Sequence, residues 1–331
     1  MRRQLMAGVL ILGCAVALTG QGRSTGAWTP TRTPDGQFDL EGVWDFSTIT
    51  PLERPAGLGD KQTFTDAEAA SFEREENLRQ NRDLIDPKKG GGQYLPGSVI
   101  PYNEFWYERG SKIVGSRRTS LIVDPPDGRI PRLTPEAAKR LDDQAAAARD
   151  EQLGLVRADS PESRSLADRC ITRGMPGSMM PGFYNHNYQI LQTPGYVVIV
   201  VEMIHDARII PVDGSTHLPS RLRQYKGDSR GRWEGRTLVI DTTNFLRETS
   251  FRGSSANLHL VERLTRVDAD TLLYEFTVDD ANTWTRPWTA AVPMKKVDTP
   301  IYEYACHEGN YAMPNLLRGG RTDAARAASS R

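Results

Sequence analysis

The C-terminal half of the chain alternates apolar and polar residues in short runs that turn residues separate. Such alternation indicates β-strands with one buried face, and a continuous apolar run indicates a strand in the centre of a core. Asp268-Ala269-Asp270 fits a tight hairpin connection. The pattern predicts an antiparallel β meander over 166–318 with at least seven strands, at 196–204, 207–212, 237–243, 258–267, 271–278, 288–292 and 301–304. Because a long open sheet leaves exposed edges, consecutive hairpins favour a barrel or a strongly curved sheet.

The residues before this meander follow a different pattern. Residues 28–62 form an N-terminal segment with one short alternating run, Gly42-Val43-Trp44-Asp45-Phe46, which predicts a first strand. Residues 63–165 form a helical and irregular insertion, in which a capping box at 65–68 begins one helix and Thr134-Pro135-Glu136 begins a second. The other expected elements are an irregular crossing at 90–101, a short strand at 119–124, a turn at 125–128 and a disordered tail at 319–331.

The first 27 residues have the three parts of a secretory signal peptide. Arg2 and Arg3 precede an apolar run over 5–18, and small and polar residues follow over 19–27. The apolar run is shorter than the roughly 20 residues that a spanning helix needs. The pattern predicts an exported protein, periplasmic or secreted, whose mature form has no integral membrane association. Residues 11–14 come close to a lipid-attachment box, so the cleavage site and lipidation stay open.

Export changes the interpretation of the three cysteines. Cys14 leaves with the signal peptide, and the two that remain, Cys170 and Cys306, are most simply a disulfide in an oxidising compartment. The bond would close a long loop and stabilise the fold by up to about 5 kcal/mol. The alternative is a nucleophilic or metal-bound thiol.

Composition narrows the classes of function. The 331 residues carry 42 Lys and Arg against 42 Asp and Glu, so the chain lacks the positive charge that a nucleic-acid backbone or an anionic membrane attracts. The sequence also lacks the phosphate-binding G-x-x-x-x-G-K and dinucleotide-binding G-x-G-x-x-G motifs. Nucleic acid is therefore excluded as the main partner, and no nucleotide cofactor is indicated.

Two short motifs match hydrolases without the required context. Gly227-Asp228-Ser229-Arg230-Gly231 matches G-x-S-x-G, and Asp241 and then His259 or His307 follow in the order of an α/β-hydrolase. A nucleophile elbow needs a helix after the serine, whereas a strand pattern follows here, so we interpret the motif as a glycine-rich turn. His307-Glu308 begins H-E-x-x-Y rather than H-E-x-x-H, which excludes the zinc-protease helix.

Several polar residues interrupt apolar strand patterns and are candidates for chemistry. They are Glu202, His205 and Asp206, then His259, Glu262 and Arg263, then Glu275, and finally His307 and Glu308. Strand periodicity places His259 and Arg263 on one face and Glu262 on the other. One interpretation is a set of satisfied surface pairs. The other is that His205, His259 and His307 converge at one end of the sheet, where His205, Asp206 and His259 act as catalytic acid and base or the imidazoles hold a divalent metal.

Aromatic residues provide candidates for ligand binding. Trp284, Arg286 and Trp288 can line a cavity in which rings stack on a flat ligand and the guanidinium holds an acid, or they can pack in the core. The loop at 184–188 carries Asn185 and Asn187 between two tyrosines. The predicted ligand-binding residues are Asn185, Asn187, Glu202, Arg263, Trp284, Arg286, Trp288 and His307.

Two resemblances add to these observations. Residues 42–46, 196–213, 227–245 and 302–311 are similar to a large group of exported bacterial hypothetical proteins, and this resemblance implies no activity. Gly42-x-Trp44 followed by a meander is similar to the first-strand signature of lipocalin-like barrels. That resemblance implies a barrel whose tryptophan closes the floor and whose interior takes an apolar ligand.

Three functions follow as expectations. The first is an exported protein that binds a small, largely apolar or aromatic molecule in a β-barrel cavity. The second is a cofactor-independent or metal-assisted hydrolase or lyase that uses His205 and His259 as base and acid. The third is a structural envelope protein, with its histidines on the surface.

Overall fold

The computed structural model describes residues 28–84, 103–152 and 160–329. The predicted signal peptide and the predicted crossing at 90–101 lie outside these residues. The helices are α1 (Asp66–Gln80), α2 (Pro135–Gln152) and α3 (Ala312–Ser329). The strands are β1 (Gly42–Asp45), β2 (Ile122–Asp124), β3 (Asn187–Thr193), β4 (Tyr196–Val201), β5 (Asp206–Pro211), β6 (Asp228–Glu234), β7 (Thr237–Thr243), β8 (His259–Arg266), β9 (Thr271–Asp279) and β10 (Trp288–Val297).

These strands form one ten-stranded antiparallel sheet, so the predicted mainly β class is confirmed. The strand order is β5-β4-β3-β1-β10-β9-β8-β7-β6, and β2 also pairs with β10. The first strand lies in the middle of this order, where Trp44 is paired with Tyr188 of β3 and Lys296 of β10. The N-terminal segment thereby joins the two halves of the C-terminal meander into one sheet.

The two ends of the strand order approach each other through side chains. The Arg208 guanidinium of β5 donates to Ser229 Oγ of β6 over 3.2 Å. A Cβ added at Gly231 of β6 would lie 2.6 Å from Val212 Cγ1 and 3.1 Å from Ile210 Cγ2. A sheet whose ends meet in this way must curve. In the part of the chain that the structure describes, however, the strand ladder does not pass from β5 to β6, so the sheet is not closed into a barrel.

Side chains fill the inner face of the curved sheet. The alternating positions of β7 to β10 are buried there, and Trp44 and Tyr188 are fully buried beside them. The Trp44 indole N–H donates to the Leu40 carbonyl over 2.9 Å, and the Tyr188 ring stacks on Phe46 at a centroid distance of 4.4 Å. Each large apolar side chain that is buried in this way contributes roughly 1.5–3 kcal/mol. The inner face therefore stabilises the fold as a packed core.

The helices of the insertion begin at the predicted caps, and α2 contacts the segment that precedes β8. Thr65 and Glu68 form the predicted capping box of α1. The Thr134 hydroxyl accepts the Ala137 N–H at the start of α2 over 3.2 Å. Arg140 of α2 then donates to the Gly253 carbonyl over 2.8 Å. These contacts position the helices that the local signals predict.

Several elements differ from the sequence prediction. Residues 301–304 form no strand, since no neighbouring strand pairs with them, and only the end of the predicted strand at 119–124 is regular. The G-x-S-x-G motif lies in β6 rather than in a turn, and β6 continues through a hairpin into β7. The helix α3 covers positions that were assigned to a disordered tail from 319.

The cysteine pair is at disulfide distance, as predicted. The sulfur atoms of Cys170 and Cys306 are 2.01 Å apart and the Cα atoms 5.7 Å apart. Asn310 Nδ2 also donates to the Asp168 carbonyl over 2.7 Å. These contacts attach the C-terminal segment to the loop that precedes β3. Among the described residues, no helix has the length and apolarity that crossing a membrane requires.

Candidate functional site

A cavity of about 490 Å³ opens where the insertion meets the loop before β3. The described residues that line it are Trp106, Glu108, Tyr184 and Asn185, and we call it the aromatic recess. Its volume lies within the range of about 300–1,000 Å³ that is typical of small-molecule sites. Two rings, one carboxylate and one amide thus face the same space.

Two chain segments form this recess together. The Glu108 N–H donates to the Phe183 carbonyl over 2.8 Å, which joins the segment from the insertion to the loop before β3. The Trp106 side chain is 61% exposed and meets Phe105 edge to face at 5.3 Å. Asn185 has a positive φ of 55°, a conformation that asparagine tolerates better than most residues. The predicted ligand-binding residue Asn185 therefore does line a cavity.

A narrow chamber adjoins the recess, because Tyr184 and Asn185 line both. We call it the His186 chamber. Its free space is about 10 Å³, close to the minimum that one water molecule needs. Its remaining lining residues are Phe46, Arg173, Gly177, Ser178, Met180, Gly182, His186 and Met203.

His186 is a buried polar group of this chamber, and one of its two ring nitrogens is not satisfied. It is only 3% exposed, and its Nε2 has no hydrogen-bond partner among the described residues. The Gly182 N–H donates to the other ring nitrogen, Nδ1, over 3.4 Å. Burial lowers the pKa of His186, and this effect exceeds the opposite effect of the Asp45 carboxylate. The imidazole is therefore neutral at pH 7, with one nitrogen available for a ligand.

Two further predicted ligand-binding residues, Asn187 and Glu202, form a structural contact. The buried Glu202 carboxylate accepts a hydrogen bond from Asn187 Nδ2 over 2.9 Å and another from the Tyr302 N–H over 3.1 Å. These bonds satisfy Glu202 and hold the C-terminal segment beside β3. The pair supports the wall of the site from outside the recess.

The Tyr304 side chain lies close to this wall. Partial burial and the Tyr184 hydroxyl, to which it is hydrogen-bonded, raise the pKa of Tyr304. The Tyr304 phenol therefore stays protonated at neutral pH. The contact fixes one ring of the recess.

The three histidines that were predicted to converge occupy separate surroundings. His205 is exposed in the turn between β4 and β5, with a positive φ of 55°. Its neighbour Asp206 accepts from Thr172 Oγ1 over 3.0 Å and is paired with Lys226. His307 is exposed in the turn after Cys306. No hydrogen bond within the described ranges joins His205, His307 and His259.

His259 instead belongs to a chain of hydrogen bonds on the outer face of the sheet. Its Nε2 lies 2.9 Å from Asp241 Oδ2, and His217 Nε2 lies 2.9 Å from Asp241 Oδ1. The other nitrogen of His217 lies 2.9 Å from Asp228 Oδ2, and Asp228 also accepts from Arg230. Partial burial raises the pKa of Asp241, but the hydrogen bonds and charges of His259 and His217 outweigh it, so that the pKa is lowered.

The remaining predicted ligand-binding residues have structural partners. Arg263 is paired with Glu234 over 3.0 Å on the outer face. Trp284 and Trp288 are buried in the core, edge to face at 5.9 Å. Arg286 donates two hydrogen bonds to Asp124, over 3.0 and 2.9 Å. The strand period correctly separated Glu262 from His259 and Arg263 on β8. His259 and Arg263 lie on the outer face of the sheet, and Glu262 lies on the inner face.

Glu262 is part of a buried network that the sequence analysis did not assemble. Its carboxylate accepts two hydrogen bonds from Arg208, and the Tyr274 hydroxyl donates to Oε1 over 2.9 Å. Burial lowers the pKa of Arg208, but the charge and hydrogen bonds of Glu262, together with the smaller effects of Tyr274 and Asp206, outweigh it, so that the pKa is raised. Burial, followed by the charge of Glu262, raises the pKa of Tyr274 well above its ordinary value. Glu262 thus pairs with Arg208 and Tyr274 inside the sheet, while Arg208 Nε has no hydrogen-bond partner among the described residues.

Ser229, the serine of the G-x-S-x-G motif, also faces inward. Its hydroxyl is 3.0 Å from Thr242 Oγ1 and accepts from Arg208. The histidines 217 and 259 lie on the opposite face, so they do not activate it. In the described parts of the chain, no group of three or more His, Cys, Asp or Glu side chains is arranged to hold a metal ion.

Comparison with known proteins gives no match, whether to a family model, to a curated protein or to a solved structure. The candidate site therefore depends on its own geometry. His186 and Arg173, which the sequence analysis did not select, belong to it through tertiary contacts. The Asn-rich, tyrosine-flanked sequence at 184–188 was the one local signal that pointed to this region.

Proposed function

We propose that this protein is exported and that it binds a small, largely aromatic molecule in the aromatic recess. The observation that carries the proposal is this ring-lined cavity, which shares Tyr184 and Asn185 with a chamber whose buried imidazole nitrogen has no partner among the described residues. The signal-peptide pattern at 1–27 and the cysteine pair support a periplasmic or secreted location.

The chemistry of the lining favours a flat ligand. Trp106 and Tyr184 offer ring faces and edges, and aromatic pairs are worth about 0.5–1.5 kcal/mol beyond the area that they bury. The amide of Asn185 and the carboxylate of Glu108 can orient polar substituents. The lipocalin-like resemblance supports the same ligand class, but the packed inner face leads us to place the site at the end of the sheet.

Calorimetric titration and thermal shift with 2-naphthamide, a neutral flat probe, test this proposal. We expect saturable binding by the full mature protein and a rise in Tm at saturating probe. Trp106→Ala should weaken binding by about 3–10-fold, because it removes one aromatic contact. Trp106 is largely exposed, so the variant is expected to fold.

Tyr196→Ala is the matched control. Tyr196 is 44% exposed at the β3–β4 hairpin, at the opposite end of β3 from the recess. The Tyr196→Ala variant should bind 2-naphthamide with the same affinity as the unmodified protein. Absence of binding, or equal binding by the Trp106 and Tyr196 variants, would exclude the recess as the site and favour a structural role.

A further inference from the structure

Arg173 is a charged side chain for which the fold provides no partner. It is exposed, and it makes no hydrogen bond or ion pair with the described residues. Arg109, by contrast, donates to both carboxylate oxygens of Glu104, over 2.7 and 2.8 Å. A guanidinium without a protein partner keeps all five of its N–H donors for solvent or for a ligand.

The side chains of Arg173 and His186 both lie close to Gly182. A Cβ added at Gly182 would lie 3.6 Å from Arg173 Nη1 and 3.6 Å from His186 Cε1. The guanidinium and the imidazole therefore face one small space, and both line the His186 chamber. Because residue 182 is a glycine, this space stays open.

The chamber shares lining residues with two larger cavities. Tyr184 and Asn185 join it to the aromatic recess, and Arg173 and Gly177 join it to a second cavity of about 340 Å³. A ligand whose ring occupies the recess can thus extend one small polar group to Arg173 and His186. The free space of about 10 Å³ limits that group to the size of a carboxylate oxygen or a water molecule.

The charges around the chamber are of both signs. Asp45 and Glu202 act on His186, but Asp45 already accepts two hydrogen bonds from Ser47, and Glu202 is bonded to Asn187 and Tyr302. Glu248 lines the second cavity near Arg173, and Glu108 lines the recess. Among the described residues, the Arg173 donors and the buried His186 Nε2 of this chamber have no hydrogen-bond partner.

We infer that the ligand is an aromatic carboxylate whose acid group is held by Arg173 and His186 at the inner end of the aromatic recess. This inference rests on the proposed function and adds the charge and orientation of the ligand. A carboxylate accepts several hydrogen bonds and pairs with a guanidinium, which an uncharged oxygen does more weakly.

Titration with three probes of the same shape tests the inference. They are 2-naphthoate, the neutral 2-naphthamide and the cation of 2-naphthylmethylamine. We expect 2-naphthoate to bind about tenfold more tightly than 2-naphthamide, because the hydrogen bonds of the acid are charge-assisted. Arg173→Gln should remove most of this preference, because it weakens the binding of 2-naphthoate more than that of the neutral 2-naphthamide. Arg236→Gln, at an exposed arginine in the β6–β7 hairpin, is the matched control and should change neither affinity.

The His186 ring gives a second readout. Nitrogen-15 NMR of the imidazole should show that 2-naphthoate raises the pKa of His186, which burial lowers in the free protein, whereas 2-naphthamide leaves it unchanged. A purely structural role for Arg173 would not produce this shift.

The outcomes distinguish the two proposals. Equal affinity for 2-naphthoate and 2-naphthamide, or an undiminished preference in Arg173→Gln, would overturn the carboxylate inference but not the aromatic recess. Preferential binding of the amine, lost in Glu108→Gln, would overturn it in favour of a cationic ligand. Failure of all three probes to bind would overturn both proposals.

Discussion

Arg208 of β5 and Glu262 of β8 form a two-point ion pair inside the curved sheet, with Nη1 2.9 Å from Oε1 and Nη2 2.7 Å from Oε2. These strands are far apart in the strand order, so the pair forms only because the sheet curves. Both side chains are almost fully buried, at 3% and 0% exposure. The pair therefore reports directly on the closeness of the two sheet ends.

Removing one partner of this pair should be strongly destabilising. Glu262→Ala leaves the Arg208 charge buried without compensation and should cost about 3–5 kcal/mol in the free energy of unfolding. The double variant Arg208→Met/Glu262→Leu should be clearly more stable than Glu262→Ala, because it leaves no buried charge. Denaturant unfolding of Arg208→Met, Glu262→Leu and the double variant gives the coupling energy. Strictly additive effects would show that the two groups do not interact.

Asp241 should make the stability depend on pH in the acid range. Its pKa is lowered in the folded protein by His259 and His217, against the effect of partial burial. A lowered carboxyl pKa stabilises the fold above the unfolded-state pKa of about 3.9, and this contribution is lost as the pH falls through the folded-state value. Asp241→Asn should flatten the stability curve below about pH 4 and cost about 1 kcal/mol at pH 7, since the site is partly exposed.

The free energy of unfolding, measured from pH 2 to 7, checks this expectation. Asp298→Asn is the control, because Asp298 is exposed and has no hydrogen-bonding or ionic partner among the described residues. A curve for Asp241→Asn that runs parallel to the unmodified one would show that the two histidines do not act on this carboxylate.

Gly231 should tolerate no side chain, because it lies where the two sheet ends meet. An added Cβ would lie 2.6 Å from Val212 Cγ1, closer than ordinary contact allows. Gly231→Ala should therefore destabilise the protein by about 1–3 kcal/mol through overpacking. Gly57→Ala, at a glycine with open space around it, should be nearly neutral. Equal Tm values for the two variants would contradict the close approach of β5 and β6.

The bond between Cys170 and Cys306 should contribute to stability through the loop that it closes. The cysteines are 136 positions apart, for which loop-closure entropy gives at most about 5 kcal/mol. Reduction should lower the Tm of the unmodified protein. Cys170→Ser/Cys306→Ser should have a lower Tm that reductant does not change further. A reductant-insensitive Tm in the unmodified protein would show that the bond is absent or adds no stability.

The local sequence pattern predicted most of the secondary-structure elements. It predicted fewer of the roles of individual side chains. The strands from 237 to 279 and both capped helices appear close to their expected bounds, since side-chain periodicity and capping depend on residues within a few positions of one another. The same periodicity separated Glu262 from His259 and Arg263. It did not say which face is buried, because that depends on which strands lie opposite.

The local sequence likewise predicted only some of the residues of the candidate site. Asn185 was predicted from the polar, tyrosine-flanked loop, and it lines the recess. Trp284 and Trp288, which were predicted for the same purpose, are core residues, because the composition of a segment does not distinguish a packed ring from a ring beside a cavity. Arg173 has no local signature for ligand binding.

The sequence by itself determined the antiparallel strands, the capped helices and the cysteine pair, since each follows from residue type and spacing along the chain. The tertiary structure decided which polar groups are neighbours: Arg208 with Glu262, Asp241 with His217 and His259, and Arg173 with His186. These pairs join positions that are distant in the chain or separated by irregular turns. Their proximity is set by sheet curvature and loop packing, which no local period encodes.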